Sequence, residues 1–352
     1  MAAVRKRSQK QAAPRAAASH QPAATLASRL FAKLCDGEFH SGEELARSLG
    51  VTRSAVWKAA NALRELGTPM DAIRNRGYRL LSPPSEPLVA PRIKDALSRQ
   101  VRDRVQRVDV AWSIGSTNTE LVGRPNPAPG RSEVLLAEFQ SAGRGRRGRS
   151  WLAPPGGAVC LSLSWTFADM PRDAGALGLA IGVCVLRTLE SLGIPDARLK
   201  WPNDVLVQDK KLGGVLIELR AESDGPAYVV VGIGLNVALG TELLEKIATT
   251  GLPAIDITSI AKRAVSRNEI AAGLIDCCIR GLIEFEQEGL RPFIEEWRHA
   301  DALRGRLVGV QVGPENVRGL ARSIDVGGAL IVETPQGLRK FYSGEVTVRP
   351  AD

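Results

Sequence analysis

The chain has 352 residues, enough for two or three domains with real cores, and its 44% hydrophobic and 24% charged content is ordinary for a globular protein. No apolar run approaches the roughly 20 residues that span a bilayer, which sets aside a membrane role and leads us to expect a cytoplasmic protein. The net charge of +9 is uneven, with no Asp or Glu before Asp36, and that imbalance points toward nucleic acid.

Residues 1–22 carry Arg5, Lys6, Arg7, Lys10 and Arg15 among Ala, Gln and Ser without hydrophobic periodicity, so a disordered basic tail is expected there. Its composition resembles a transit peptide, but the next segment favours a basic tail beside a DNA reader. Over residues 23–82 the pattern is a winged helix-turn-helix. Leu26, Leu30, Phe31 and Leu34 make one apolar stripe, and Ser41-x-x-Glu44 opens a second helix as a capping box. Gly50 supplies the turn, and Thr52 caps a third helix with Val56, Ala60, Leu63 and Leu66 inward. Its other side presents Thr52, Arg53, Ser54, Trp57 and Lys58, where recognition helices meet base edges. Arg74-Asn75-Arg76-Gly77-Tyr78-Arg79 reads as a tight hairpin whose Arg74, Arg76 and Tyr78 suit DNA contact.

Ser82-Pro83-Pro84-Ser85-Glu86-Pro87 is a stiff linker, after which residues 83–303 alternate strands and helices as an α/β domain with a mixed sheet. Gly175 to Leu192 predicts a buried helix, and Glu269 to Gly289 another with Ile275, Cys278, Leu282 and Phe285 inward. From residue 304 to 352, short β runs separated by glycines predict a small SH3-like β-barrel. The five cysteines have no C-x-x-C spacing and the three histidines are far apart, so no metal site is expected.

The densest signal is Gly143-Arg144-Gly145-Arg146-Arg147-Gly148-Arg149. Glycines permit close backbone approach and guanidinium groups grip carboxylate and phosphate, so the loop expects a small anion. It matches G-x-G-x-x-G, but Trp151-Leu152-Ala153-Pro154-Pro155 cannot propagate the helix that a dinucleotide fold needs. Further on, Lys200-Trp201-Pro202-Asn203-Asp204, Lys211-Leu212-Gly213-Gly214-Val215-Leu216-Ile217-Glu218 and Gly232-Ile233-Gly234-Leu235-Asn236 each join β-type runs to glycines and polar side chains. Loops at strand ends build pockets in this way.

Together with Ser116-Thr117-Asn118 and Gln140, this ordered set resembles the biotin–protein ligases, and the N-terminal segment resembles the DNA-binding domain of the bifunctional members that also repress the biotin operon. The related lipoate ligases share the α/β fold, but the motif set points to biotin. The resemblance implies ligation of biotin through a biotinoyl-5′-adenylate made from ATP, then transfer to a lysine of a biotin carboxyl carrier protein. It places Ser116, Thr117, Asn118, Gln140, Arg144, Gly145, Arg146, Lys200, Gly213 and Gly232 around biotin. Around the nucleotide it places Arg144, Arg146, Arg149, Trp151, Lys200, Asn203, Gly234 and Asn236, with Lys200 and Arg146 at the reacting atoms. Mg²⁺ is expected with ATP, with Asp204 as the one carboxylate offered for it. Operator DNA and a ligand-coupled homodimer are the other implied partners. The alternative is a ligase whose N-terminal domain no longer regulates transcription.

Overall fold

The computed structural model describes residues 25–84, 86–194, 196–221, 225–249, 253–342 and 346–350, so the expected tail over 1–22 and Ser85 of the linker lie outside the described residues. Three helices, α1 (Leu26–Leu34), α2 (Gly42–Leu49) and α3 (Arg53–Glu65), open the chain. Each begins on the hydroxyl that the sequence offers: Thr25 accepts from Ser28 N–H, Ser41 from Glu44 N–H and Thr52 from Ala55 N–H. Gly50 ends α2 in the left-handed region, with φ 67°. Leu30, Phe31, Leu34, Leu45, Val56, Ala60 and Leu63 form the small core. The wing is an antiparallel pair, β1 (Met70–Ile73) and β2 (Gly77–Leu80), that turns through Asn75 at φ 65°. It closes onto the helices through reciprocal backbone bonds between His40 and Tyr78. A Cβ on Gly77 would lie 1.9 Å from the His40 carbonyl oxygen, so only glycine lets the wing come this close.

After α4 (Ala90–Asp95) and α5 (Arg99–Arg102) come β3 (Val105–Ile114), α6 (Thr117–Gly123), β4 (Ser132–Gln140), β5 (Ala158–Phe167), α7 (Leu177–Ser191), β6 (Arg198–Lys200), β7 (Asp204–Val207), β8 (Lys210–Ala221) and β9 (Ala227–Asn236). The strands form one mixed sheet in the order β3-β4-β5-β9-β8-β7-β6, parallel only between β3 and β4. Beyond it lie α8 (Thr241–Ala248), α9 (Arg267–Glu288) and α10 (Ile294–His299). One face of the sheet takes α6, through Leu121, Leu135, Tyr228 and Val230. The opposite core holds Trp165, Phe167, Ile181, Val185, Ile275, Cys278, Leu282 and Phe285, so the inward residues expected of α9 are inward.

One helix, Ala174–Ser191, is long and apolar enough to cross a membrane by composition, with mean hydropathy 1.4, and the reading of apolar runs passed over it. Its apolar surface is accounted for by packing: Leu177, Ile181, Val185 and Leu189 are buried in the sheet–helix core.

The C-terminal strands are β10 (Leu307–Val312), β11 (Glu315–Ile324), β12 (Leu330–Thr334), β13 (Gly337–Phe341) and β14 (Val346–Pro350), all antiparallel in the order β13-β12-β11-β10-β14. These antiparallel strands form the small C-terminal β domain expected from residue 304, with no pairing of β13 to β14 among the described residues. A register shift between Ala321 and Ser323 bends β11 where Ser323 takes φ 101°. Trp201 ties this unit to the centre: its indole is buried and donates to the Gly328 carbonyl at 3.1 Å.

The winged unit is also docked. Phe31 and Trp112 meet at 5.3 Å between ring centroids. The linker is latched by the start of α9, where Arg267 donates to the Glu86 carbonyl and Asn268 holds Pro87 and Val89. Arg267 is fully buried and pairs with Glu138 of β4 at 2.6 Å, while Glu138 also accepts the Leu88 N–H. Removing one partner of such a pair strands a buried charge, which holds the linker in this path.

Candidate active site: a cavity walled by the arginine loop

The site forms on the sheet face where β3 hands over to α6 and β4 runs into the arginine loop. The loop folds back on itself: Gly145 N–H donates to the Arg149 carbonyl at 2.7 Å and Trp151 N–H to the Gly143 carbonyl at 2.9 Å. A single 3-10 turn, Arg146–Gly148, occupies its tip, with Arg147 and Gly148 both at positive φ. No α-helix follows it, so the dinucleotide match is spurious, as Pro154 and Pro155 require.

Beneath this loop is a cavity of about 780 Å³ including its open mouth. Its wall includes Ser116, Thr117, Asn118, Gln140, Arg144, Gly145, Arg146, Arg149, Trp151, Asn203, Gly232 and Gly234 from the expected set. The deep end is polar and tightly wired. Gln140 Oε1 accepts from Thr117 N–H at 2.8 Å and from its hydroxyl at 3.1 Å, and Ser162 Oγ donates to Asn118 Oδ1 at 2.5 Å. Leu161, Val215, Leu216 and Ile233 supply the apolar part of the wall.

Glycine does its work here by admitting side chains. A Cβ on Gly232 would lie 2.3 Å from Asn118 Oδ1, and one on Gly234 would lie 2.7 Å from the Trp151 ring. Gly232→Ala must therefore displace Asn118, costing about 1–3 kcal/mol of stability by overpacking. For the biotin pocket that the resemblance implies, the expected result is binding weakened about tenfold by loss of a buried hydrogen bond. Calorimetric titration with biotin checks this, and an unchanged affinity would remove Asn118 from the ligand's wall.

The mouth is cationic. Arg144 is held by Glu218 at 3.2 Å and Thr119 at 3.3 Å, and Arg146 donates to Asn203 Oδ1 at 3.3 Å. Burial holds the Arg146 guanidinium below its usual pKa; Asp204 pulls against this, while Arg147 and Arg149 add to it. A guanidinium crowded by like charge is stabilised by any anion that enters.

The chain is 35% identical over 328 residues to the bifunctional ligase/repressor BirA of Escherichia coli, covering 93% of this chain and 98% of that one. This chain belongs to the bifunctional biotin ligase/repressor family. The corresponding Bacillus subtilis protein is 31% identical, covering 88% of this chain and 94% of its own. Family models agree in order: an HTH domain over residues 27–79, the biotin/lipoate A/B protein ligase family over 111–236, and the biotin protein ligase C-terminal domain over 305–349. Among solved structures, the biotin protein ligase of Aquifex aeolicus in complex with biotin and ATP superposes with TM-score 0.58 at 27% identity, covering 70% of this chain and all of that one.

Three expected residues of this ligase stand apart from the cavity wall. Lys200 ends β6 in register opposite Asp204. Gly213 sits one residue from the wall, where a Cβ would meet the Leu235 side chain at 2.4 Å, so its glycine serves strand packing. Asn236 is buried, and its amide N–H groups go to the Lys211 and Ile255 carbonyls. Conversely, the structure brings to the cavity and its supports residues that sequence reasoning did not single out. Lys211 lines the cavity, pairs with Asp204 at 2.5 Å and lies 5.9 Å from the Trp151 ring centre. Ser162 braces Asn118, and Glu218 bridges Asn118 and Arg144. The KLGGVLIE run held two of these in plain view; Ser162 carried no local signal.

On the winged unit of this ligase, Thr52, Arg53, Ser54, Trp57 and Lys58 are exposed together at the start of α3, and Trp57 is 56% exposed. An indole this bare is unusual unless it meets a partner. Arg74 and Arg76 are exposed at the wing tip, where Arg76 stacks over Phe39 at 4.1 Å. Tyr78 instead packs against the helical core.

Proposed function

We propose that this protein is an ATP-dependent biotin–protein ligase. It makes biotinoyl-5′-adenylate and transfers biotin to a lysine of biotin carboxyl carrier protein. As the adenylate-bound dimer it represses biotin-synthesis genes through operator DNA. The observation that carries the reading is one cavity whose wall joins a wired cluster of hydroxyls and amides, apolar side chains and guanidinium groups. Those three chemistries match a ureido ring, a hydrocarbon chain and a carboxylate meeting a phosphate. We take the domain limits at 82/83 and 303/304, and the cytoplasm as the site of action. The five cysteines are all free thiols, which suits a reducing compartment.

The chemistry needs no enzyme nucleophile. Biotin's carboxylate oxygen attacks the α-phosphorus of ATP and pyrophosphate leaves; the carrier's lysine amine then attacks the acyl carbon, releasing AMP and a proton. Both steps call for alignment and neutralised charge. Asn118, Thr117, Gln140 and Ser116 orient biotin, and Arg144, Arg146 and the backbone at Gly145 take the carboxylate and phosphate. Trp151 covers the adenine, with Arg149, Asn203 and Gly234 on the nucleotide side. Lys200 approaches the carboxylate–phosphate junction. For Mg²⁺ the donor set is poor: Asp204 is engaged by Lys211, and no group of three or more metal-ligating side chains exists among the described residues. The ion therefore arrives as MgATP, held by the phosphates. Incubation with biotin, ATP-Mg²⁺ and a carrier domain, scored by mass spectrometry, tests the whole; absence of acceptor biotinylation would overturn it.

The repressor half rests on the bare Trp57 face and on one connection. Beyond Gly214, β8 has no β7 partner among the described strands, and Arg144 ties the loop to Glu218 on that stretch. Ordering of the loop by adenylate would then bias a strand edge able to pair with a second copy. Coupling of about 1–3 kcal/mol is typical for such linkage. Biotin with ATP is expected to tighten self-association and operator binding, and carrier protein to reverse both. Deleting residues 1–82 should abolish DNA binding and leave an α/β unit able to dimerise. Sedimentation with and without adenylate, paired with DNA titration, decides the matter; indifference of both to adenylate leaves a ligase with a vestigial N-terminal domain.

A further inference from the structure

We propose that Glu218 is a positioning residue that serves two parts of the cavity wall at once. One carboxylate oxygen fixes which face of the Asn118 amide biotin meets, and the other holds Arg144 until an incoming anion replaces it. The proposal rests on the reading of the cavity as the biotin and adenylate site.

Strand period brings Glu218 to this place. Side chains alternate faces along a strand, so Gly214, Leu216 and Glu218 of β8 share one face. Gly214 and Leu216 line the cavity, as do Gly234 and Gly232, their partners on β9. Glu218 is next in that row, opposite Val230, and stands just behind the wall. Two separate elements converge on it. Asn118 Nδ2 of α6 donates to Glu218 Oε2 at 3.0 Å, and Arg144 Nη1 of the arginine loop donates to Glu218 Oε1 at 3.2 Å.

The first bond sets the orientation of an amide. The oxygen and nitrogen of Asn118 are alike in size, so their order follows from the groups around them. An ionised carboxylate only accepts, so Nδ2 is the end that faces Glu218. Oδ1 is thereby turned to Ser162, whose hydroxyl donates at 2.5 Å, and to Gly232, where a Cβ would lie 2.3 Å away. Turned over, Asn118 would set oxygen against oxygen at Glu218. A carboxylate outside the wall thus decides the hydrogen-bonding pattern inside it.

The second bond is exchangeable. The Arg144 side chain is 52% exposed, and an ion pair this open is weak. A carboxylate or phosphate that enters takes Arg144 away from Glu218, against the repulsion of a like charge. Glu218 therefore tempers the grip of the arginine loop on bare phosphate. It also keeps Arg144 in place, together with Thr119 Oγ1 at 3.3 Å.

Substitution separates the two bonds. Glu218→Gln keeps an oxygen that accepts from Asn118 but loses the charge that holds Arg144, whereas Glu218→Ala loses both. The full-length proteins are titrated calorimetrically with biotin and, separately, with inorganic triphosphate. Glu218→Ala is expected to weaken biotin binding at least about tenfold, the effect of stranding an amide that had a charged partner, and Glu218→Gln to keep it within about threefold. Both variants should bind triphosphate about two- to fivefold tighter. In an Arg144→Ala background, Glu218→Gln should shift triphosphate binding by less than about twofold, because the cycle isolates the pair. A side chain that only supports the fold would lower both affinities and the melting temperature in both variants, and that pattern overturns the proposal. So does biotin binding by Glu218→Ala that equals that of the unmodified chain. Where Glu218→Ala does not fold, unchanged triphosphate binding by Glu218→Gln overturns the proposal by itself. If the unmodified chain binds neither biotin nor triphosphate, the reading of the cavity falls as well; if it binds both and the variants bind alike, the role of Glu218 alone is lost.

Discussion

Lys200→Ala is expected to slow adenylate formation by about 10²–10³ while changing biotin affinity little. The magnitude is that of removing one preorganised donor from a developing charge. Lys200 closes β6 and stands across from Asp204, next to the turn that delivers Asn203 to the cavity wall. A cation at that position meets the reacting carboxylate and phosphate when both are present, so its contribution grows as the pentacovalent charge develops. Because Lys200 stands just outside the wall, the substrate-free protein should bind biotin almost normally without it. Single-turnover adenylation, with biotin affinity measured separately, makes the distinction. Equal rates in both proteins would show that the lysine only supports the β6–β7 hairpin.

Arg146→Ala is expected to release the adenylate roughly 10–150 times faster, the equivalent of a charge-assisted hydrogen bond worth about 1.5–3 kcal/mol. The leaked mixed anhydride should label bystander lysines, a readout independent of turnover. The substrate-free state gives this prediction a second edge. Arg146 is half-buried, and burial together with Arg147 and Arg149 lowers its guanidinium pKa. Its removal should leave the thermal stability of the free protein equal or higher, while erasing most of the stabilisation that biotin plus ATP confers. Stopped-flow dissociation and paired melting curves check the two halves. An unchanged off-rate would place the guanidinium outside the site.

Much of this protein is legible one turn or one hairpin at a time. Ser41 and Thr52 each cap the helix expected of them, and Thr25 caps α1 in the same way, because a cap is a bond between residues three apart. The wing follows from Asn75 and Gly77, which accept the positive φ its turn demands. The arginine loop is legible as a candidate anion site, since its side chains and glycines are contiguous and Pro154 with Pro155 forbid the competing helix. The α9 stripe is likewise periodic and local, and its residues are buried as the period requires.

The rest depends on sheet register, which no short window contains. Ser162 lies on β5, and it reaches Asn118 only because β5 is central and α6 crosses its face. Lys211 and Glu218 belong to one strand but meet different groups, Lys211 pairing with Asp204 near the Trp151 ring and Glu218 with Arg144. Gly232 and Gly234 look like close-approach glycines for a ligand; in the fold the atoms that approach them are those of Asn118 and Trp151. Asn236, a plausible base reader from its motif, is consumed by two carbonyls once β9 settles beside β8. Residue type and local spacing specify which groups the chain offers and how each short segment turns. Which of those groups face one another follows from strand order and burial, because a buried polar atom takes the partner that tertiary packing brings to it.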